Sequence, residues 1–172
     1  MEIIDNFLPE DQFNIIYKTM FEEYDFEWFF TDGQNYPNEP DKFMFNHVFV
    51  AIKEGINSHH FEMLDPVLKK LGAYRIFRVK ANLTVRTNEH EPSGFHVDGF
   101  DNSLTSIYYI NTCNGYTEFK TGEKVKSVSN RMIIFDSELE HQGVTCTDNK
   151  RRVLINFNFI KHLDLQLSLP IC

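Results

Sequence analysis

Hydrophobic and polar positions along this chain keep two different periods, and the change from one to the other falls at Gly72. Before it, Phe13, Ile16, Tyr17 and Met20 recur at three- and four-residue spacing, which places them on one face of a helix. Pro9 stands at the start of that segment with acidic Glu10 and Asp11 beside it. A proline loses nothing in a first helical turn, and carboxylates there meet the positive end of the helix dipole. The spacing therefore predicts a helix from Pro9 to about Tyr24. A second is predicted from Phe61 to Leu71, where Leu64, Val67, Leu68 and Leu71 share a face and Gly72 supplies the stop. Met44 to Ile56 is ambiguous, mixing Phe and Val with the helix-favouring Ala51-Ile52-Lys53-Glu54.

After Gly72 the period shortens to two. Tyr74–Lys80, Ala81–Arg86, Leu104–Ile110, Tyr116–Lys120, Lys124–Ser129, Arg131–Phe135 and Arg152–Phe159 read as short strands divided by Asn, Asp, Gly and Ser. Helices followed by such a run predict an α+β, mainly β fold: a double-stranded β-helix (jelly roll) with N-terminal helices packed on one sheet. One domain over 1–172 is expected, with 1–72 mainly helical support and 73–160 the jelly-roll core. The last strand divides most cleanly. Val153, Ile155, Phe157 and Phe159 point one way and need cover, whereas Arg152, Leu154, Asn156 and Asn158 point the other way and suit a polar cavity.

Composition narrows the class. Of the 172 residues, 42% are hydrophobic and 24% charged, the balance of a soluble globular protein. No apolar run approaches the roughly 20 residues that cross a bilayer. The N-terminus lacks the basic-then-apolar order of a secretory signal, so a cytoplasmic location is expected. A formal charge of −8 makes general nucleic-acid binding unlikely on electrostatic grounds. Cys113, Cys146 and Cys172 form neither a CxxC pair nor a disulfide framework and are expected to be reduced thiols.

The candidate chemistry starts from His96-Val97-Asp98. A one-residue gap in an extended chain puts both side chains on one face, within reach of one ion. Chance alone supplies about one His-x-acid in a chain of this composition, and this one has three: His96/Asp98, His60/Glu62 and His162/Asp164. His60 and Glu62 fall at the start of the second helix, where residues two apart diverge. His162 and Asp164 follow the last strand with no later histidine. Surface histidines account for both pairs. Only His96/Asp98 both sits at the mouth of a strand and is followed by another histidine, His141, which comes just after the apolar strand Met132 to Phe135. Two histidines and a carboxylate on one face of an ion form the facial triad of non-haem Fe(II) oxygenases, with positions left open for a 2-oxo acid and O2. A nearby arginine would hold the far carboxylate of such an acid.

At this point the sequence resembles the Fe(II)/2-oxoglutarate dioxygenases, in particular their prolyl-4-hydroxylase-like branch. The resemblance covers roughly 81–159. It rests on Phe95-His96-Val97-Asp98, Thr105-Ser106-Ile107-Tyr108-Tyr109-Ile110-Asn111, Gly115-Tyr116-Thr117-Glu118-Phe119, Asn130-Arg131-Met132-Ile133-Ile134-Phe135-Asp136 and Arg152-Val153-Leu154-Ile155-Asn156-Phe157. The order and spacing of the pieces carry it, and the stretch is also similar to small enzymes encoded by marine phages. The resemblance implies that His96, Asp98 and His141 bind Fe(II) and that a basic residue opening the final strand binds 2-oxoglutarate. Arg151 and Arg152 compete for that role, and Arg152 is favoured because it shares a face with Asn156 and Asn158. Tyr109 matches the family tyrosine that hydrogen-bonds the co-substrate, although a core tyrosine would look the same. Many relatives have a tyrosine near the position of Thr84, where this chain offers only Thr84 and Asn82.

The implied activity is hydroxylation of an unactivated C–H bond with O2 and 2-oxoglutarate, releasing succinate and CO2. A peptidyl proline is the substrate the branch suggests. A free amino acid or other small molecule is the main alternative, and a nucleic-acid demethylase or a non-catalytic jelly-roll binding module are weaker ones. The loop Thr87 to Gly94 is a candidate lid, and the aromatic run Tyr24 to Phe30 with the Asp32 to Asp41 loop is a candidate groove, although core packing explains most aromatics. His90, in the polar loop, is expected at the surface.

Overall fold

The computed structural model describes residues 1–35, 39 and 42–161. Eleven strands and two α-helices follow one another as β1 (Glu2–Ile4), α1 (Glu10–Phe21), β2 (Phe29–Asp32), β3 (Phe43–Ala51), β4 (Gly55–Ile56), α2 (Asp65–Leu71), β5 (Ala73–Val85), β6 (Leu104–Tyr109), β7 (Tyr116–Phe119), β8 (Lys124–Lys126), β9 (Arg131–Asp136), β10 (His141–Val144) and β11 (Arg151–Lys161). Every strand pairing is antiparallel. The major sheet runs β1-β9-β6-β11-β5-β3-β2, with β4 attached to β3, and the minor sheet runs β10-β7-β8. Two sheets facing each other, with helices outside the larger one, is the jelly roll that the strand periodicity predicts.

The sequence expectations hold for most elements and fail at particular ones. Pro9 caps α1 rather than entering its first turn, and the helix stops at Phe21, before Tyr24. The second predicted helix divides into a 3₁₀ turn at Phe61–Leu64 and α2. Pro66 has no amide to give a preceding turn, so the regular helix begins only around it. Gly72 ends α2 in the left-handed region at φ 66°, as its place after Leu71 predicts. Residues 44–56 resolve as β3 and β4 joined by a turn at 52–54, and the two strands read at Tyr74–Lys80 and Ala81–Arg86 are one continuous strand, β5. Residues 1–72 accordingly hold four strands beside the helices, so this part is more than helical support.

The two faces of the major sheet bury different things. On the outer face, Phe13, Ile16 and Met20 of α1 pack with Val79, Tyr108, Met132, Val153, Ile155, Phe157 and Phe159. Each fully buried large side chain there contributes about 1.5–3 kcal/mol. On the inner face, Phe119 and Val125 of the minor sheet close on Ile107, Tyr109, Ile133, Phe135 and Leu154. That second core reaches only β6, β9 and β11 of the major sheet. The inner face of β5 is left to line a cavity.

Candidate active site

His96 and His141 come together because their backbones pair. His96 N–H donates to the His141 carbonyl and His141 N–H to the His96 carbonyl, both at 3.0 Å, and the ring centroids stand 4.6 Å apart. His96 Nδ1 lies 3.2 Å from the Gly94 carbonyl and His141 Nδ1 lies 2.9 Å from that of Leu139. A carbonyl only accepts, so each neutral ring carries its proton on Nδ1 and leaves the Nε2 lone pair free for a ligand role. Asp98 completes the group: one donor atom from each of His96, Asp98 and His141 lies within 4.8 Å of the others. These are the three residues that the sequence singles out as candidate ligands, and the structure brings them together.

Asp98 is the most heavily supported side chain of the three. Its Oδ1 accepts from Arg78 Nη2 at 2.6 Å, and its Oδ2 accepts from Thr105 Oγ1 at 2.7 Å and Asn158 Nδ2 at 3.0 Å. Only 3% of the Asp98 side chain is exposed. Burial pushes its carboxyl up, but Arg78, His141 and the two hydrogen bonds outweigh that and hold it at about 2. His141 is pushed down by burial, against the opposing pull of the Leu139 carbonyl and Asp98. An ionised Asp98 beside a His141 that gives up its proton more readily suits the ligation of a cation.

The triad opens into a cavity of about 240 Å³. Its floor is a pair of facing rows set by strand register: Arg152, Leu154 and Asn156 on β11 lie opposite Thr84, Asn82 and Lys80 on β5, and Arg78 extends the β5 row. Arg152 is 4% exposed. Its Nη2 donates to Thr117 Oγ1 at 3.1 Å, while its Nε has no partner among the described residues. Arg151 points to the opposite side, with its guanidinium over the Phe21 ring at 4.1 Å to the centroid. Of the two arginines, only Arg152 reaches the cavity.

Tyr109 stands behind Arg152 rather than at the cavity wall. Its hydroxyl donates to Thr117 Oγ1 at 2.7 Å and its ring lies 5.6 Å from the guanidinium carbon. Burial pushes this hydroxyl up, and Arg152 and Thr117 pull it down less strongly. Tyr109 therefore shapes the seat of Arg152. Gly115 leaves room for the same side chain, since a Cβ there would meet Arg152 Cδ at 2.7 Å.

The donor set fits a resident Fe(II). Two imidazoles and one carboxylate converging on one point suit that metal. The unpartnered Arg152 Nε in the same cavity suits the carboxylate of a 2-oxo acid.

Other sequence expectations fall differently. The 87–94 segment is laced to β10 through the Pro92–Val144 bridge and the Ser93 N–H to Gly143 carbonyl bond at 2.8 Å. It forms a wall of the cavity instead of a free lid. Gln34 and Asn35 line the cavity mouth, and Asn35 Nδ2 donates to the Ser93 and Gly94 carbonyls. Phe26 is buried in the outer core, while Phe29 and Phe30 are exposed. His90 is exposed, with its Nδ1 2.7 Å from the Thr145 carbonyl. His60 is half-buried, not solvated, and groups with Asp25 and His59 instead of Glu62. His162, Asp164 and Cys172 lie outside the described residues. Cys113 and Cys146 are free and buried, and their sulfurs approach one another beside Asp148. Arg78, Lys80 and Thr117 are the site residues that sequence reasoning passes over.

Comparison with family models and with curated proteins finds no match. Solved structures do match. A 2OG-Fe(II) oxygenase family oxidoreductase from Burkholderia pseudomallei is 13% identical over 91% of this chain and 84% of its own, with a TM-score of 0.64. A prolyl hydroxylase from Trichoplax adhaerens, in complex with a hypoxia inducible factor peptide fragment, is 15% identical over 98% of this chain and 87% of its own, at 0.64. A Pseudomonas putida prolyl-4-hydroxylase is 14% identical over 94% and 92%, at 0.62. The chain has the fold of these 2-oxoglutarate-dependent oxygenases. No helix among the described residues is long and apolar enough to cross a membrane.

Proposed function

We propose that the protein is an Fe(II)- and 2-oxoglutarate-dependent dioxygenase that hydroxylates an unactivated C–H bond, with a peptidyl proline as the substrate class to try first. The observation that carries this reading is the pairing, in one cavity, of the His96/Asp98/His141 group with Arg152, a buried guanidinium without a carboxylate partner among the described residues. An uncompensated buried charge costs several kcal/mol, and an anionic co-substrate held by Arg152 would remove that cost. The fold shared with oxygenases supports the same reading, and the prolyl hydroxylases among them support proline by analogy alone.

Bound iron supplies O2 activation coupled to conversion of 2-oxoglutarate to succinate and CO2, with one oxygen atom entering the substrate. The chain supplies the frame. His96 and His141 present fixed Nε2 atoms, Asp98 is kept ionised and aimed by Arg78, Thr105 and Asn158, and Arg152 sets the direction of the co-substrate. Leu154 and Ile107 keep the middle of the cavity apolar, which limits water near the reacting centre. The small volume and polar floor also favour a second reading, hydroxylation of a free amino acid.

The test is an anaerobic titration of the metal-free protein with Fe(II) and then 2-oxoglutarate, followed by visible absorption. A metal-to-ligand charge-transfer band is expected in the wild type and Arg151→Ala. It should be absent in His96→Ala, and Arg152→Ala should need at least about tenfold more co-substrate, the loss expected for one charged hydrogen-bonding partner. No band from folded wild-type protein would refute the proposal.

A further inference from the structure

We infer that Lys80 is the specificity residue for the prime substrate and that the group it selects is a carboxylate beside the carbon to be oxidised. The inference rests on the iron and co-substrate assignment just proposed and deepens it.

Lys80 lies on the inner row of β5, two residues from Arg78 and directly opposite Asn156. Its side chain lines the cavity. Among the described residues it makes no hydrogen bond or ion pair, and its cationic neighbour is already engaged. Arg78 spends Nη2 on Asp98 and Nε on the Asn158 Oδ1 at 3.0 Å. Lys80 is thus an ammonium inside a cavity, beside a guanidinium, and the one acid whose charge is seen to reach it, Asp98, gives its hydrogen bonds to Arg78, Thr105 and Asn158 instead. Such a charge calls for an incoming anion.

The co-substrate does not supply that anion. Arg152 and Lys80 stand four residues apart along the paired strands, about 13 Å at the rise of an extended chain. One carboxylate of 2-oxoglutarate belongs at Arg152 and the other at the metal, so both are used before Lys80 is reached. Lys80 also lies on the side of β11 that the minor sheet leaves uncovered, next to Val48 of β3. Beside it, Asn156 Oδ1 across the strand pair and Asn82 Oδ1 two residues along β5 are buried without partners among the described residues. These are groups that an N–H of an amino acid or peptide would satisfy. An ammonium with amide oxygens on either side fits a carboxylate carried next to an N–H. That carboxylate is either the α-carboxylate of a free amino acid or an acidic side chain beside the target residue of a peptide.

Calorimetry under argon, on protein loaded with Fe(II) and 2-oxoglutarate, tests this with two isosteric pairs. L-proline against L-prolinamide probes the free-acid source. N-acetyl-Ala-Pro-Glu-amide against its Gln counterpart probes the side-chain source. The carboxylate member of one pair should bind at least about tenfold more tightly, the contribution of one charge-assisted contact. That preference should vanish in Lys80→Met and survive in Lys80→Arg, and the pair that shows it identifies the source. Equal binding within both pairs, absence of binding by all four probes, or a preference that persists in Lys80→Met overturns the inference. A co-substrate requirement raised as much in Lys80→Met as in Arg152→Ala overturns it too, because Lys80 would then serve 2-oxoglutarate. The visible band separates the two levels: without it the iron and co-substrate assignment fails, and with it present only the role of Lys80 is at stake.

Discussion

Arg78 does for Asp98 what no other residue of the cavity does. It brings a full positive charge to a carboxylate that is 3% exposed, and it is itself fixed by Asn158 and by the Phe100 ring 5.5 Å from its guanidinium carbon. Without it, burial would dominate and lift the Asp98 carboxyl, while Thr105 and Asn158 would hold it less firmly. Arg78→Met, close in length and free of charge, is therefore expected to weaken divalent-metal affinity by about 10- to 100-fold, the range for removing a partner of a ligating group. Calorimetry of the metal-free variant with Fe(II) under argon measures this. The deficit should shrink as pH rises, because a carboxyl whose value has moved up is more fully ionised at higher pH.

At the scale of the element, β5 explains both what the sequence discloses and what it conceals. Arg78, Lys80, Asn82 and Thr84 alternate with Val79, Ala81, Leu83 and Val85 through an unbroken strand. Reading a break at Lys80–Ala81 divides that row, so its polar half does not register as one face. β11 has the same alternation in a single uninterrupted run, and there the separation of Arg152, Asn156 and Asn158 from the apolar set is legible and correct. The His96/Asp98 pair is legible for the same reason of period. The joining of His96 to His141 is not, because a two-residue backbone bridge between distant segments leaves no periodic trace. The strand β10 that carries His141 is equally silent, since His-Gln-Gly-Val has no alternation to detect. Gly115, just before β7, shows how closely these elements approach. A Cβ there would stand 2.7 Å from Arg152 Cδ, 3.0 Å from the Val144 carbonyl and 3.2 Å from the Cys146 amide. Backbone atoms lie on two of those contacts, so Arg152 must move. Gly115→Ala is expected to cost about 1–3 kcal/mol of stability, as overpacking does, and to raise the 2-oxoglutarate concentration at half-maximal band. Thermal unfolding and the anaerobic titration read the two effects on one preparation.

Over the whole molecule, a chain of formal charge −8 gathers Arg78, Lys80 and Arg152 around one cavity. That arrangement suits a small anion. It also leaves a signature in the pH dependence of stability of the metal-free protein. Burial, then Arg78, pushes Lys80 down to about 8, with Asp98 opposing. From there to the ordinary lysine value the unfolded chain holds a proton that the folded one lacks, so stability rises with pH at about 1.4 kcal/mol per unit. Cys146 works in the other direction: burial and the neighbouring Cys113 push its thiol up to about 11. Stability contributed by keeping that thiol protonated is complete below the unfolded value and is lost as pH climbs from about 9. Tyr108, fully buried with its hydroxyl donating to Asn130 Oδ1 at 2.6 Å, and Tyr109 are both raised by burial. They add their losses above the ordinary tyrosine value of about 10. Urea unfolding midpoints should therefore climb from pH 8 to about 9, stay level to about 10, and fall steeply beyond it. Lys80→Met should abolish the first rise, because among the described residues it removes the one group whose folded value lies below its unfolded one in this window. Tyr108→Phe should soften the final fall, even as it sacrifices the hydrogen bond to Asn130. A curve that declines steadily from pH 8 in the wild type would mean that Lys80 keeps its ammonium at no cost, and that the cavity is less dry than its lining implies.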